Sequence, residues 1–153
     1  MTNNFEILPP RPCELIIYTS KNYSEKFQSL FNRKIYFMYQ FSQKLNLTVF
    51  IIAAIYTLIL GEKFIFNYFK VLSFFVRPKV ILTTFDNYNF FYLLKDKIKN
   101  KKIKFCSVQN NWYGSKTTMS HFDKKIKYKC DHLFIFGEAY RKFYEKYIQN
   151  EQY

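Results

Sequence analysis

The chain reads as an α/β protein with a Rossmann-like, mostly parallel sheet and helices on both faces. Three observations carry this. Short apolar, β-rich runs alternate with longer segments whose apolar residues recur at helical spacing. The stretches between strands are long enough for crossover helices. Two strands end in polar tips, Asp86-Asn87-Tyr88-Asn89 and Gln109-Asn110-Asn111, where open parallel sheets keep their ligands. Strands are read at residues 14–18, 35–39, 79–84, 103–108 and 132–136. A single domain is expected over 13–148, between an irregular lead-in at 1–12 and a polar tail at 149–153.

Taken in order, PPRP cannot continue a helix or a central strand, so the lead-in is irregular. Glu14-Leu15-Ile16-Ile17-Tyr18 is the first strand, followed by a polar turn with capping residues. Phe27, Leu30 and Phe31 share one face of a helix over 24–32, and KIYFMY supplies the second strand. Residues 47–60, LTVFIIAAIYTLIL, are apolar throughout. A spanning helix needs about 20 residues, so this one is read as a buried core helix, the alternative being an interfacial or re-entrant one. A helical stripe over 63–75 stops before Arg77-Pro78, because the residue before proline disfavours the helical region. The strand KVILTTF follows, then a helix over 90–98 and the strand IKFCSV. Residues 115–129 are polar and basic and are expected to form a loop carrying a short helix. A last strand at 132–136 turns at Gly137 into an amphipathic helix over 138–148, with Tyr140, Phe143, Tyr144 and Tyr147 near one face.

With 153 residues, 49% hydrophobic and 22% aromatic, the chain can bury a substantial core and is not of disordered composition. Lys and Arg number 24 against 11 acidic residues, a net charge of +13. Such a surface attracts nucleic acid, an anionic membrane or a phosphorylated substrate. No Arg-rich arm or zinc-finger spacing accompanies the lysines, and the aromatics fall on apolar faces rather than forming a stacking platform. Nucleic acid therefore ranks below a membrane face or charged substrate, and is not expected as a partner. Cys13, Cys106 and Cys130 show no paired spacing, which suits a reducing cytosol. The N-terminus has no basic segment followed by an apolar core, so no signal peptide is read there. GxGxxG, GxxxxGK[ST], GxSxG, HExxH and CxxC are all absent from the sequence. Dehydrogenase, P-loop, hydrolase and zinc chemistry thus lack support, and no cofactor or metal is expected.

The candidate site residues lie at the strand tips. Asp86 could orient a hydroxyl, act as a base or cap the next helix. Asn87, Gln109 and Asn110 offer amides that both donate and accept, which suits hydroxyl-rich ligands such as sugars; turn formation is the alternative. Trp112 could stack on a sugar ring or pin its loop. Glu138 opens the last helix, where the dipole favours a carboxylate. His121, in the polar loop, could be a base, a phosphate contact or a solvated side chain.

The succession PKVILTTFDNYNFFYLL, KFCSVQNNWYG and DHLFIFGEAYRKFYEKYI resembles bacterial surface-carbohydrate biosynthesis proteins that look like two-domain GT-B glycosyltransferases. The resemblance covers residues 8–148, and the order and spacing of the motifs carry it. Asn111 stands where the family pattern has Gly after Gln-Asn. The resemblance implies the N-terminal, acceptor-side half of such an enzyme, with the second, donor-binding domain absent from this sequence. It implies transfer from a nucleotide-sugar to a glycan or lipid-linked acceptor, with Asp86 and His121 catalytic. Asn87, Gln109, Asn110, Trp112 and Glu138 would bind substrate. Location would be cytoplasmic, peripheral at the inner membrane face. The competing expectation is a non-catalytic, basic, membrane-surface interaction module.

Overall fold

A computed structural model describes residues 6–31, 34–39, 45–110, 122–123 and 125–152. The fold is α/β and Rossmann-like, and the strand pairs within each of its two compact units, Met1–Lys79 and Val80–Tyr153, are parallel.

In the first unit β1 (Leu15–Thr19) pairs with β2 (Ile35–Tyr39) in the register Leu15 to Ile35 through Thr19 to Tyr39. The crossover is α1 (Lys21–Leu30), three residues earlier than the sequence indicated. Ser24, expected at the helix start just after a polar turn, lies inside the helix and donates to the Lys21 carbonyl at 2.7 Å. A serine can satisfy its hydroxyl that way, which removes the need for a preceding turn.

A helical hairpin follows, α2 (Leu47–Leu60) and α3 (Phe64–Val76). Asn46 caps α2 by accepting from the Val49 N–H at 3.1 Å, and its own amide donates to the Leu8 carbonyl at 2.6 Å. Gly61, at φ 66°, ends α2 in the left-handed conformation that glycine adopts without strain. Arg77 takes the same region at φ 53°, immediately before Pro78. Phe50 meets Phe64 with ring centroids 5.0 Å apart, and Asn67 donates to the Thr57 hydroxyl at 3.0 Å.

The reading of residues 47–60 as a buried core helix is corrected. Only Val49 and Ala53 of α2 are buried, while Leu58 is 86% and Ile59 71% exposed. A run without charges is apolar all round, so its periodicity cannot say how many of its faces find partners. Here one face packs on α3 and the rest meets solvent. Among the described residues, no helix is long and apolar enough to cross a membrane.

In the second unit β3 (Val80–Thr83), β4 (Lys104–Val108), β5 (Tyr128–Phe134) and β6 (Ile148–Gln152) lie side by side in that order. The helix α4 (Asn89–Lys97) connects β3 to β4, and α5 (Glu138–Tyr144) connects β5 to β6. Two expectations fail here. The strand read at 132–136 begins at Tyr128 and ends at Phe134, so Cys130 and Asp131 lie within it and residues 128–129 leave the expected loop. The last helix stops at Tyr144, and the chain turns into β6 across residues read as helix end and polar tail. The short helix expected within 115–129 falls largely outside the described residues.

The core of this unit is aromatic. Phe91, Tyr92, Phe105, Tyr128 and Tyr144 are fully buried, with Phe122 4.7 Å from Tyr128 between centroids. Burial, reinforced by the neighbouring Asp131 charge and opposed by Lys104, pushes the Cys106 thiol up to about 11. Cys106 is therefore a protonated, inert thiol at neutral pH.

Candidate functional site

The β3 tip is built by local hydrogen bonds. Thr83 accepts from the Phe85 N–H at 2.9 Å through its hydroxyl, and the Phe85 carbonyl accepts from the Tyr88 N–H at 3.2 Å. These bonds turn the chain sharply and aim Asp86 inward. Asp86 does not cap α4. That role falls to Tyr88, in extended backbone and with no side-chain cap bond, so the capping alternative is corrected.

Asp86 is instead fully buried, at 0% exposure. Its Oδ1 accepts from the Asn110 N–H at 3.3 Å, and its Oδ2 accepts from the Tyr144 hydroxyl. One carboxylate thus ties the β3 tip to the β4 tip and to the last turn of α5. The Asp86 carbonyl accepts from the Tyr92 hydroxyl at 2.9 Å, and that hydroxyl lies 2.9 Å from Ser107 Oγ. Since Tyr92 donates its single proton to the carbonyl, Ser107 donates to Tyr92.

Gln109 is buried and bridges β4 to β5. Its N–H donates to the Phe134 carbonyl at 2.8 Å, and its Oε1 accepts from the Phe136 N–H at 3.0 Å. Asp86 and Gln109 therefore hold three adjacent strand ends together. Tyrosine and glutamine satisfied in this way fix geometry more firmly than either could in water.

The predicted residues divide accordingly. Asp86, Gln109 and the Asn110 backbone meet at the carboxyl ends of β3 and β4. Asn87 and Asn110 are half-buried at the same tips. Glu138 is exposed in the first turn of α5 and pairs with Arg141 at 3.4 Å. Such a pair contributes little. Trp112 and His121 lie outside the described residues. Among the described residues, no three His, Cys, Asp or Glu side chains come together to hold a metal.

Tyr92 and Ser107 are not singled out in the sequence, and Tyr144 is read there only as part of the apolar face of the last helix. The signal was present but ambiguous: a buried tyrosine needs a hydroxyl partner, whereas a tyrosine on an apolar helical stripe reads simply as core. Open space faces Gly137, where an added Cβ would meet no atom within 4 Å.

Chemically, the crest offers two accessible amides beside a sealed carboxylate network. Amides at a parallel-sheet carboxyl edge suit a neutral, hydroxyl-bearing ligand. No family model, curated protein or solved structure matches the chain.

Proposed function

We propose that this crest binds the acceptor sugar of a glycosyltransferase that builds a bacterial surface polysaccharide from a nucleotide-sugar. One observation carries the reading. The segments KVILTTFDN, KFCSVQN and DHLFIFGE, whose order suggested the family, end on three neighbouring strands, and their tips are tied by Asp86 and Gln109. In this reading Asn87 and Asn110 hydrogen-bond the sugar hydroxyls. Asp86, engaged with Tyr144 and Asn110, is a positioning residue that holds both amides in register.

The test is direct binding. Titration with neutral and N-acetylated trisaccharides is expected to give saturable association. In the double variant Asn87→Ala, Asn110→Ala this association should fall about 10-fold or more, as two lost hydrogen bonds require. The unfolding midpoint should stay close to that of the parent, because both side chains reach solvent. Unchanged association in the double variant would remove the crest from the site.

The exposed face of α2 favours a second reading, peripheral attachment to a membrane surface. Phe50, Ile51, Ile55, Leu58 and Ile59 are all exposed on a helix without charges. A contiguous apolar patch of this kind commonly marks an interaction surface. The variant Leu58→Ser, Ile59→Ser removes mostly exposed apolar area. It is expected to reduce co-sedimentation with phosphatidylglycerol vesicles about 10-fold, following the transfer free energy of two aliphatic side chains. Equal sedimentation of variant and parent would dismiss membrane attachment through α2.

A further inference from the structure

The basic run KDKIKNKKIK and the described part of KKIKYK, residues 125–129, converge near the amino ends of β4 and β5. This is the edge of the second unit's sheet away from the crest. Lys129 on β5 pairs with Asp96 on α4 at 3.1 Å. Lys95 on α4 and Lys104 on β4 both pair with the buried Asp131, at 3.0 and 3.2 Å. Between them opens a cavity of about 590 Å³, lined by Lys95, Lys99, Lys101, Lys104 and the two carboxylates.

The lining holds four lysines against two aspartates, a surplus of two positive charges. The aspartates are already engaged within the fold. Lys99 and Lys101 form no ion pair among the described residues and are exposed at the rim. Lys95 and Lys97 sit in the last turn of α4, where the helix dipole favours cations. That account does not extend to Lys99 and Lys101, which follow the helix. The cavity is concave and of small-ligand size, within the range typical of binding sites. Its aromatic lining residue, Phe105, is buried and offers no face for stacking a base.

We propose that this cavity binds a phosphorylated group carrying about two negative charges, gripped by Lys99 and Lys101 over a floor set by the Lys95–Asp131–Lys104 cluster. The same chemistry is presented by a free phosphorylated small molecule and by a phosphorylated lipid headgroup. Inorganic pyrophosphate probes the first, and phosphatidic acid in phosphatidylcholine vesicles probes the second. The variant Lys99→Gln, Lys101→Gln removes the grip without touching an ion pair. Lys21→Gln, Lys63→Gln removes the same charge from exposed positions on the first unit.

Saturable binding of at least one probe is expected. It should weaken about 10-fold or more in the first variant and less than about 2-fold in the second, the difference between local contact and net charge. Binding of pyrophosphate without vesicles identifies a free ligand, and preference for phosphatidic acid identifies a headgroup. Three results would overturn the proposal: no saturable binding of either probe, equal weakening by both variants, or preference for a single-stranded RNA oligomer over both probes.

Discussion

Replacing Asp86 by Ala is expected to cost about 3 kcal/mol of unfolding free energy, measured by urea denaturation at neutral pH. The change strips the acceptor from the buried Tyr144 hydroxyl and from the half-buried Asn110 N–H. Each unsatisfied buried donor costs about 1–3 kcal/mol, and a cavity adds to the loss. Asp86→Asn should be much milder, about 1 kcal/mol, because a hydroxyl accepts as well as donates. The amide oxygen can keep the Asn110 N–H while the amide nitrogen donates to Tyr144. Tyr144→Phe should cost about 1–2 kcal/mol alone and little more when combined with Asp86→Ala, since the two act as one pair. An Asp86→Ala chain as stable as the parent would show that the strand tips are held by something else.

The second large effect is expected at Asp131. Its carboxylate accepts from the Phe105 N–H at 2.9 Å and lies within 3.2 Å of both Lys95 and Lys104. Asp131→Ala leaves a backbone donor of β4 and two ammonium groups without their acceptor. The expected loss is about 2–3 kcal/mol, most of it from the unsatisfied Phe105 N–H, because Lys104 is half-exposed and can be solvated. Burial alone would raise this carboxyl. The Phe105 N–H and the two lysines outweigh burial and hold it below its ordinary value. A depressed carboxylate stabilises the fold fully above the unfolded value and loses that contribution as pH falls through the folded one. The pH dependence therefore lies below about pH 4. Stability of Asp131→Asn should be flatter than that of the parent across this acid limb. Parallel limbs in the two proteins would mean that Asp131 titrates as it does in the unfolded chain.

Much of the fold is legible in residue patterns, and the exceptions have physical causes. The strand at 35–39 and the helix at 47–60 fall where apolar runs and flanking polar residues place them. The early start of β5 is hidden by Lys129 and Asp131, which look like loop residues until Lys95, Lys104 and Asp96 are brought across from α4 and β4. β6 is hidden because IQNEQ has no apolar alternation, and a strand pairing on one side with β5 needs little of it. At the site, the tips at Asp86 and Gln109 follow from strand ends alone. Their hydrogen-bond partners do not: Tyr144 lies 58 residues from Asp86 in sequence, and Phe136 27 from Gln109. The exposure of α2 is likewise a tertiary outcome, since nothing in LTVFIIAAIYTLIL distinguishes the face that finds α3.

The claim that the crest is the sugar site is tested most directly by amide chemical shifts of the isotope-labelled chain during trisaccharide titration. Saturable shifts are expected at residues 86–89, 109–110 and 136–138. They should share one dissociation constant and vanish in the Asn87→Ala, Asn110→Ala variant, while residues 95–104 stay unmoved. Shifts confined to other parts of the chain, or none at concentrations where glycan-binding proteins saturate, would contradict it.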